Sequence, residues 1–137
     1  MKRTALQFIG IPLLGALLLT GCSTKVADPD KITLTEVQLD HIDNRIKTLS
    51  DELKLSSSQA IEVKKALSGF TRAKQAIREA KISGGRKLKE LKKAAADYEA
   101  ALKKVLSNEQ YNRYYRYKWA VRRKVWDNIN RNARQND

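Results

Sequence analysis

Apolar residues recur at alternating steps of three and four along four separate stretches of this chain, and that spacing dictates helices that must pair. Over residues 86–106 the series Leu88, Leu91, Ala95, Tyr98, Leu102 and Val105 advances by 3, 4, 3, 4 and 3. Steps of this size keep side chains on one face of a helix with 3.6 residues per turn, and so apolar a face needs another helix to cover it. Residues 36–54 repeat the rhythm with Leu39, Ile42, Ile46, Leu49 and Leu53. A less regular stretch follows Ser56 and runs to about residue 82, with Val63, Leu67, Phe70 and Ile77 on one face and Lys74 interrupting it. The last, residues 108–131, offers Tyr111, Tyr114, Val121, Val125 and Ile129 as its inward stripe. Ser83-Gly84-Gly85 is expected to stop the second helix and reverse the chain. No stretch sustains a period of two, so no sheet is expected. The expectation is an all-α fold of about four helices in an extended hairpin, thin enough to favour association, with seams that could close within one chain or between two.

The N-terminal segment reads differently. Lys2-Arg3 is followed by an uncharged run from Thr4 to Thr24 with an apolar centre, Phe8 to Leu19, which is the design of an export signal. An uncleaved membrane helix is the competing reading, weakened by Pro12 and three glycines. Leu19-Thr20-Gly21-Cys22 resembles the bacterial lipobox, which implies cleavage after residue 21 and acylation of Cys22. Several acyl chains on one residue give a lasting anchor where a single chain gives a marginal one. Ser23, rather than Asp, at the next position implies transfer to the outer membrane, facing the periplasm. The division expected is a signal at 1–21, an acylated Cys and polar tether at 22–33, broken by Pro29, and a helical domain at 34–137.

One His, one Cys and one Met leave no means of building a His/Cys metal cage or a nucleophile-base catalytic set, and no Gly-rich phosphate loop is present. The sequence therefore argues against an enzyme, and it calls for no catalytic residue, metal or cofactor. His41 is expected at the surface beside the seam residue Ile42.

Three of the helix starts share one pattern, Leu-(Thr/Ser)-x-x-Gln: Leu34, Thr35 and Gln38; Leu55, Ser56 and Gln59; Leu106, Ser107 and Gln110. Each is a capping box. The hydroxyl accepts from the backbone N–H three residues on, and the Gln side chain accepts from the N–H of the cap itself. The preceding Leu is placed to staple against Leu39, Ala60 or Tyr111.

The pattern resembles the LTxxQ signature of the Spy/CpxP family of envelope stress proteins, in which such motifs open the helices of an all-α hairpin. The resemblance spans residues 34–131. The sequence departs from the family in having Ser for Thr in two copies, no internal Met and an acylation signal. With His41 the only His, the metal sensing of some relatives is not carried over. What the resemblance implies is a homodimeric cradle that holds unfolded or partly folded envelope proteins on a concave face without ATP. In a regulatory variant the protein docks on a membrane stress sensor.

Charge adds a second constraint. Lys and Arg number 28 against 15 Asp and Glu, for a net +13. The excess is segregated: residues 28–62 carry 8 acidic and 4 basic side chains, residues 63–137 carry 21 basic and 7 acidic. Between Tyr111 and Trp126 stand six cations, six aromatics and no acid. On a helix Tyr115, Trp119, Arg122 and Trp126 form a strip separate from the inward stripe. Rings give large contact at low entropy cost, and guanidinium groups pair with carboxylates or phosphates and stack on rings. Arg113, Tyr115, Arg116, Lys118, Trp119, Arg122, Arg123, Lys124 and Trp126 are accordingly the candidate client-binding residues, unless the two Trp are buried in a wide apolar face. An alternative ligand for the same basic face is an anionic polymer or membrane surface such as lipopolysaccharide. Nucleic acid, which an exported protein rarely meets, is not expected as a partner.

Overall fold

A computed structural model describes residues 25–135, and the lipobox with Cys22 lies outside them. Four helices account for most of the described chain: α1 (Glu36–Leu53), α2 (Ser57–Glu79), α3 (Gly84–Val105) and α4 (Asn108–Gln135), with a single 3₁₀ turn at Pro29–Lys31. No strand occurs among the described residues. The fold is all-α.

All three capping boxes form. The Thr35 hydroxyl accepts from Gln38 N–H at 3.3 Å while Thr35 N–H donates to Gln38 Oε1 at 2.9 Å. The corresponding pairs are 3.2 and 3.0 Å at Ser56–Gln59, and 3.2 and 3.0 Å at Ser107–Gln110. A fourth start, unmarked by a glutamine, belongs to Ser83, whose hydroxyl accepts from Arg86 N–H at 3.3 Å. The paired glycines are thus the first two residues of α3 instead of a reversal. The chain turns earlier, where α2 ends at Glu79 and Ala80 is extended. The Ser83 cap decides the matter because it satisfies an amide that the first turn otherwise leaves open. At the end of α1, Lys54 takes the left-handed conformation, φ 53° and ψ 54°, which a side chain tolerates at a cost and glycine does not pay.

The core gathers the middle of the bundle: Leu34, Ile42, Leu49, Leu53, Val63, Leu67, Tyr98, Leu102, Leu106 and Tyr114 are buried, with Ile46, Phe70, Val105 and Tyr111 against them. Phe70 and Tyr98 stack at 5.1 Å and 10°, joining α2 to α3. The α2–α3 pairing is the most extensive, and α1 packs on both α2 and α4. Burial stops short of the ends. Leu39, expected in the α1 seam, is 43 % exposed. Leu88 and Leu91 stay exposed at the start of α3, and so do Val125 and Ile129 on α4. The inward stripe expected of α4 therefore holds at Tyr111, Tyr114 and Val121, with Tyr117 joining it, and every residue from Arg122 to Arg131 is exposed. The helix outruns its partners: 28 residues extend about 42 Å.

The tether is also more ordered than its composition suggests. Asp28 caps the 3₁₀ turn through its side chain, and the turn packs on α2. Val26 to Asp30 form one wall of a groove also lined by small residues, Ala66, Gly69 and Ala73 on α2 with Ala94 and Ala101 on α3.

Candidate functional site

The N-terminal end of α4 is fixed by a glutamine clasp. Gln59 and Gln110, already committed through Oε1 to their own caps, donate to each other: Gln59 Nε2 to Gln110 Oε1 at 2.8 Å and Gln110 Nε2 to Gln59 Oε1 at 3.0 Å. Gln59 Nε2 also donates to the Val105 carbonyl at 3.0 Å, and Gln110 Nε2 to that of Lys54 at 3.3 Å. The two helix starts therefore terminate each other's preceding helices, closing carbonyls that helix C-termini leave open. The first copy has no such twin. Gln38 Nε2 donates to Gln75 Oε1 at 3.2 Å instead.

From this anchor α4 presents two faces. Tyr114 is buried, and Tyr111, Tyr117 and Val121 are half-buried. Lys103 sits over the Tyr111 ring at 5.1 Å. On the other face Tyr115 and Trp119 meet edge to face, 6.0 Å between centroids, and Arg122 lies over Trp119 at 5.4 Å. Trp119 is 46 % exposed and Trp126 is 59 % exposed. With Arg122 and Arg123 they line a shallow depression. Both Trp thus escape burial in a wide apolar face, the competing expectation.

The candidate cations divide. Arg113 pairs with Glu109 at 2.6 Å, one turn away, and Lys118 is held by Glu99 of α3. That bond is the main reason the Lys118 ammonium keeps its proton above the ordinary lysine range. Arg116, Arg122, Arg123 and Lys124 reach no carboxylate among the described residues. Arg113, Arg116 and Lys124 line a second depression beside Glu52 and Tyr117. The nine residues singled out by sequence thus fall into an exposed strip (Tyr115, Trp119, Arg122, Arg123, Trp126), a flank (Arg113, Arg116, Lys124) and one residue, Lys118, turned to the bundle.

Sequence reasoning missed the cleft behind Lys118. His41, Arg45, Lys74, Tyr98, Glu99 and Tyr114 come from three other turns of sequence and α4 itself to meet there. The one available signal was Lys74, a cation within an apolar stripe.

No group of three or more His, Cys, Asp or Glu able to hold a metal occurs among the described residues. None of their helices is long and apolar enough to cross a membrane. Compared with protein-family models, with curated proteins and with solved structures, the chain gives no match.

Proposed function

We propose that this chain is a lipid-anchored protein of the bacterial envelope that captures unfolded or misfolded polypeptides without ATP, using the exposed basic and aromatic strip of α4. The observation that carries this reading is the exposure of Trp119 and Trp126 beside Arg122 and Arg123, which form no ion pair among the described residues. Positive charge draws in a client at long range, and the indole faces retain it at contact. Acylation of Cys22 holds the protein at the outer membrane, facing the periplasm. Apolar side chains left uncovered at Leu88, Leu91, Val125 and Ile129 support a homodimer in which a second copy completes the cradle. The same face serves a regulatory docking on a membrane stress sensor.

The test is aggregation suppression by the purified chain in nonionic detergent, with a chemically unfolded client and no ATP, beside lipopolysaccharide binding at low and moderate salt. Suppression near one client per protomer or dimer is expected. No suppression, together with tight and salt-sensitive lipopolysaccharide binding, would overturn capture and make the strip an anchor for an anionic polymer.

A further inference from the structure

Where α1, α2, α3 and α4 converge, a cleft of about 250 Å³ opens between the core and solvent. Its floor is apolar, with Ile42, Leu67 and Phe70, and its charged lining is unbalanced. Glu99 is consumed by Lys118, while Arg45 and Lys74 reach no carboxylate among the described residues. Lys74 is half-buried with its ammonium 4.8 Å over the Phe70 ring. Burial holds its affinity for a proton down, and the charges of Arg45 and Arg78 add to the effect. Bringing two cations together out of water is unfavourable unless an anion joins them.

A second observation points to the same vacancy of partners. Tyr98 lines the cleft, is 8 % exposed, and its hydroxyl, shielded from solvent near the Tyr114 side chain, meets no partner in hydrogen-bond geometry among the described residues. A buried phenol O–H usually finds an acceptor. Burial raises the ionisation range of Tyr98 and of its neighbour Tyr114, so both stay donors at any physiological pH.

We infer that this cleft is a binding site for a small carboxylate with a short apolar body. The carboxylate sits between Arg45, Lys74 and the Tyr98 hydroxyl, and the apolar part lies against Phe70 and Leu67. A planar carboxylate suits the guanidinium fork of Arg45, and the ring and aliphatic floor favour an organic acid over inorganic phosphate. The site is separate from the α4 strip and stands or falls independently of client capture.

Phenylacetate is a suitable probe, with its amide phenylacetamide as the neutral match and inorganic phosphate as the anion without an apolar part. Titration of the full chain in nonionic detergent, followed by ligand-observed NMR and calorimetry, is expected to give saturable phenylacetate binding with Kd on the order of 1 mM. Phenylacetamide and phosphate are each expected to bind at least about tenfold more weakly. Lys74→Met keeps the apolar stem and removes the charge. It should weaken phenylacetate at least about tenfold while leaving Tm unchanged or higher, since an unpaired buried cation is lost. The exposed Lys104→Met, equal in net charge, should bind as the parent does. Equal binding of acid and amide, no saturation, or equal loss in both lysine variants would overturn the site. A stable Lys74→Met that still binds phenylacetate at full strength would do the same.

Discussion

Replacing Gln59 by Glu exchanges one nitrogen of the clasp for oxygen and removes the donor of two hydrogen bonds. Oε1 still accepts from Ser56 N–H and from Gln110 Nε2, so the cap survives. The new oxygen faces the Val105 carbonyl and Gln110 Oε1, both acceptors that Gln59 Nε2 held at 3.0 and 2.8 Å. Two partly buried bonds at about 1 kcal/mol each are lost. A carboxylate in the first turn of α2 returns about 0.5 kcal/mol through the helix dipole. The net is a destabilisation of about 1.5 kcal/mol, or a Tm lower by about 6 °C for a domain of just over 100 residues. Gln38→Glu is the internal comparison, because Gln38 Nε2 has a single partner, Gln75. It should cost at most about 0.5 kcal/mol. Thermal melts followed by circular dichroism at pH 7 decide the matter, and a repeat near pH 3 should recover part of the loss as the new carboxyl regains a proton to donate. Equal melting of Gln59→Glu, Gln38→Glu and the parent would refute the clasp as a stabilising contact.

Four further outcomes follow from the same geometry. Lys54→Gly relieves the left-handed backbone at the end of α1 and should stabilise by about 0.5–1 kcal/mol in urea unfolding; a lower midpoint would show that the Lys side chain matters more than its φ. Leu102→Asp buries a charge at a site only 1 % exposed and should cost about 4 kcal/mol or more. Leu91→Asp, at 36 % exposure on the same helix, should cost under about 1 kcal/mol, and equal losses would misplace the core. Burial lifts the pKa of both Tyr98 and Tyr114, so the folded state holds protons that the unfolded state releases above pH 10. Stability is therefore full below pH 10 and falls beyond it by up to about 1.4 kcal/mol per pH unit for each phenol, and urea midpoints of Tyr114→Phe should fall less steeply over that range. Changing Arg122, Arg123 and Lys124 together to Gln should leave helicity intact, weaken client capture and flatten its dependence on salt; capture that is unchanged would remove the basic strip from the proposed mechanism.

The helices were legible because what makes them is local. Thr35, Ser56 and Ser107 each find their glutamine three residues on, and the distance involved never leaves one turn. The paired glycines misled for the same kind of reason: a permissive backbone at Gly84 and Gly85 allows a turn without requiring one, and the Ser83 hydroxyl captures Arg86 N–H to start a helix through them. The Gln59–Gln110 clasp joins residues 51 apart, so nothing in either motif alone announces it. Periodicity was equally silent about length of coverage. Leu88, Val125 and Ile129 keep the helical rhythm yet stay exposed, since spacing identifies the apolar side of a helix and says nothing of where the neighbouring helix ends.

Charge shows how the two levels combine. In sequence 8 of the 15 acidic residues fall within residues 28–62 and most of the basic ones follow, which suggests a strongly basic remainder. In the fold, α1 lays its acids against the partners it touches: Asp43 takes Lys64 of α2 at 2.5 Å, and Glu52 lies beside Arg113 and Arg116. Glu99 performs the same service from α3 for Lys118. Compensation thus follows packing, and it ends where packing ends. Beyond Val121 every residue of α4 to Arg131 is exposed, and Arg122, Arg123 and Lys124 form no ion pair among the described residues. Trp126 stands uncovered with them, while Trp119 is exposed earlier because it faces away from the bundle. The length of α4 relative to its neighbours therefore leaves Arg122, Arg123, Lys124 and Trp126 unpaired together, and the outward face of the covered part adds Tyr115 and Trp119. Shortening α4 after Val121 removes Arg122, Arg123, Lys124 and Trp126 but keeps Tyr115 and Trp119, so it should weaken capture and flatten its salt dependence while leaving the core from Leu34 to Tyr114 intact.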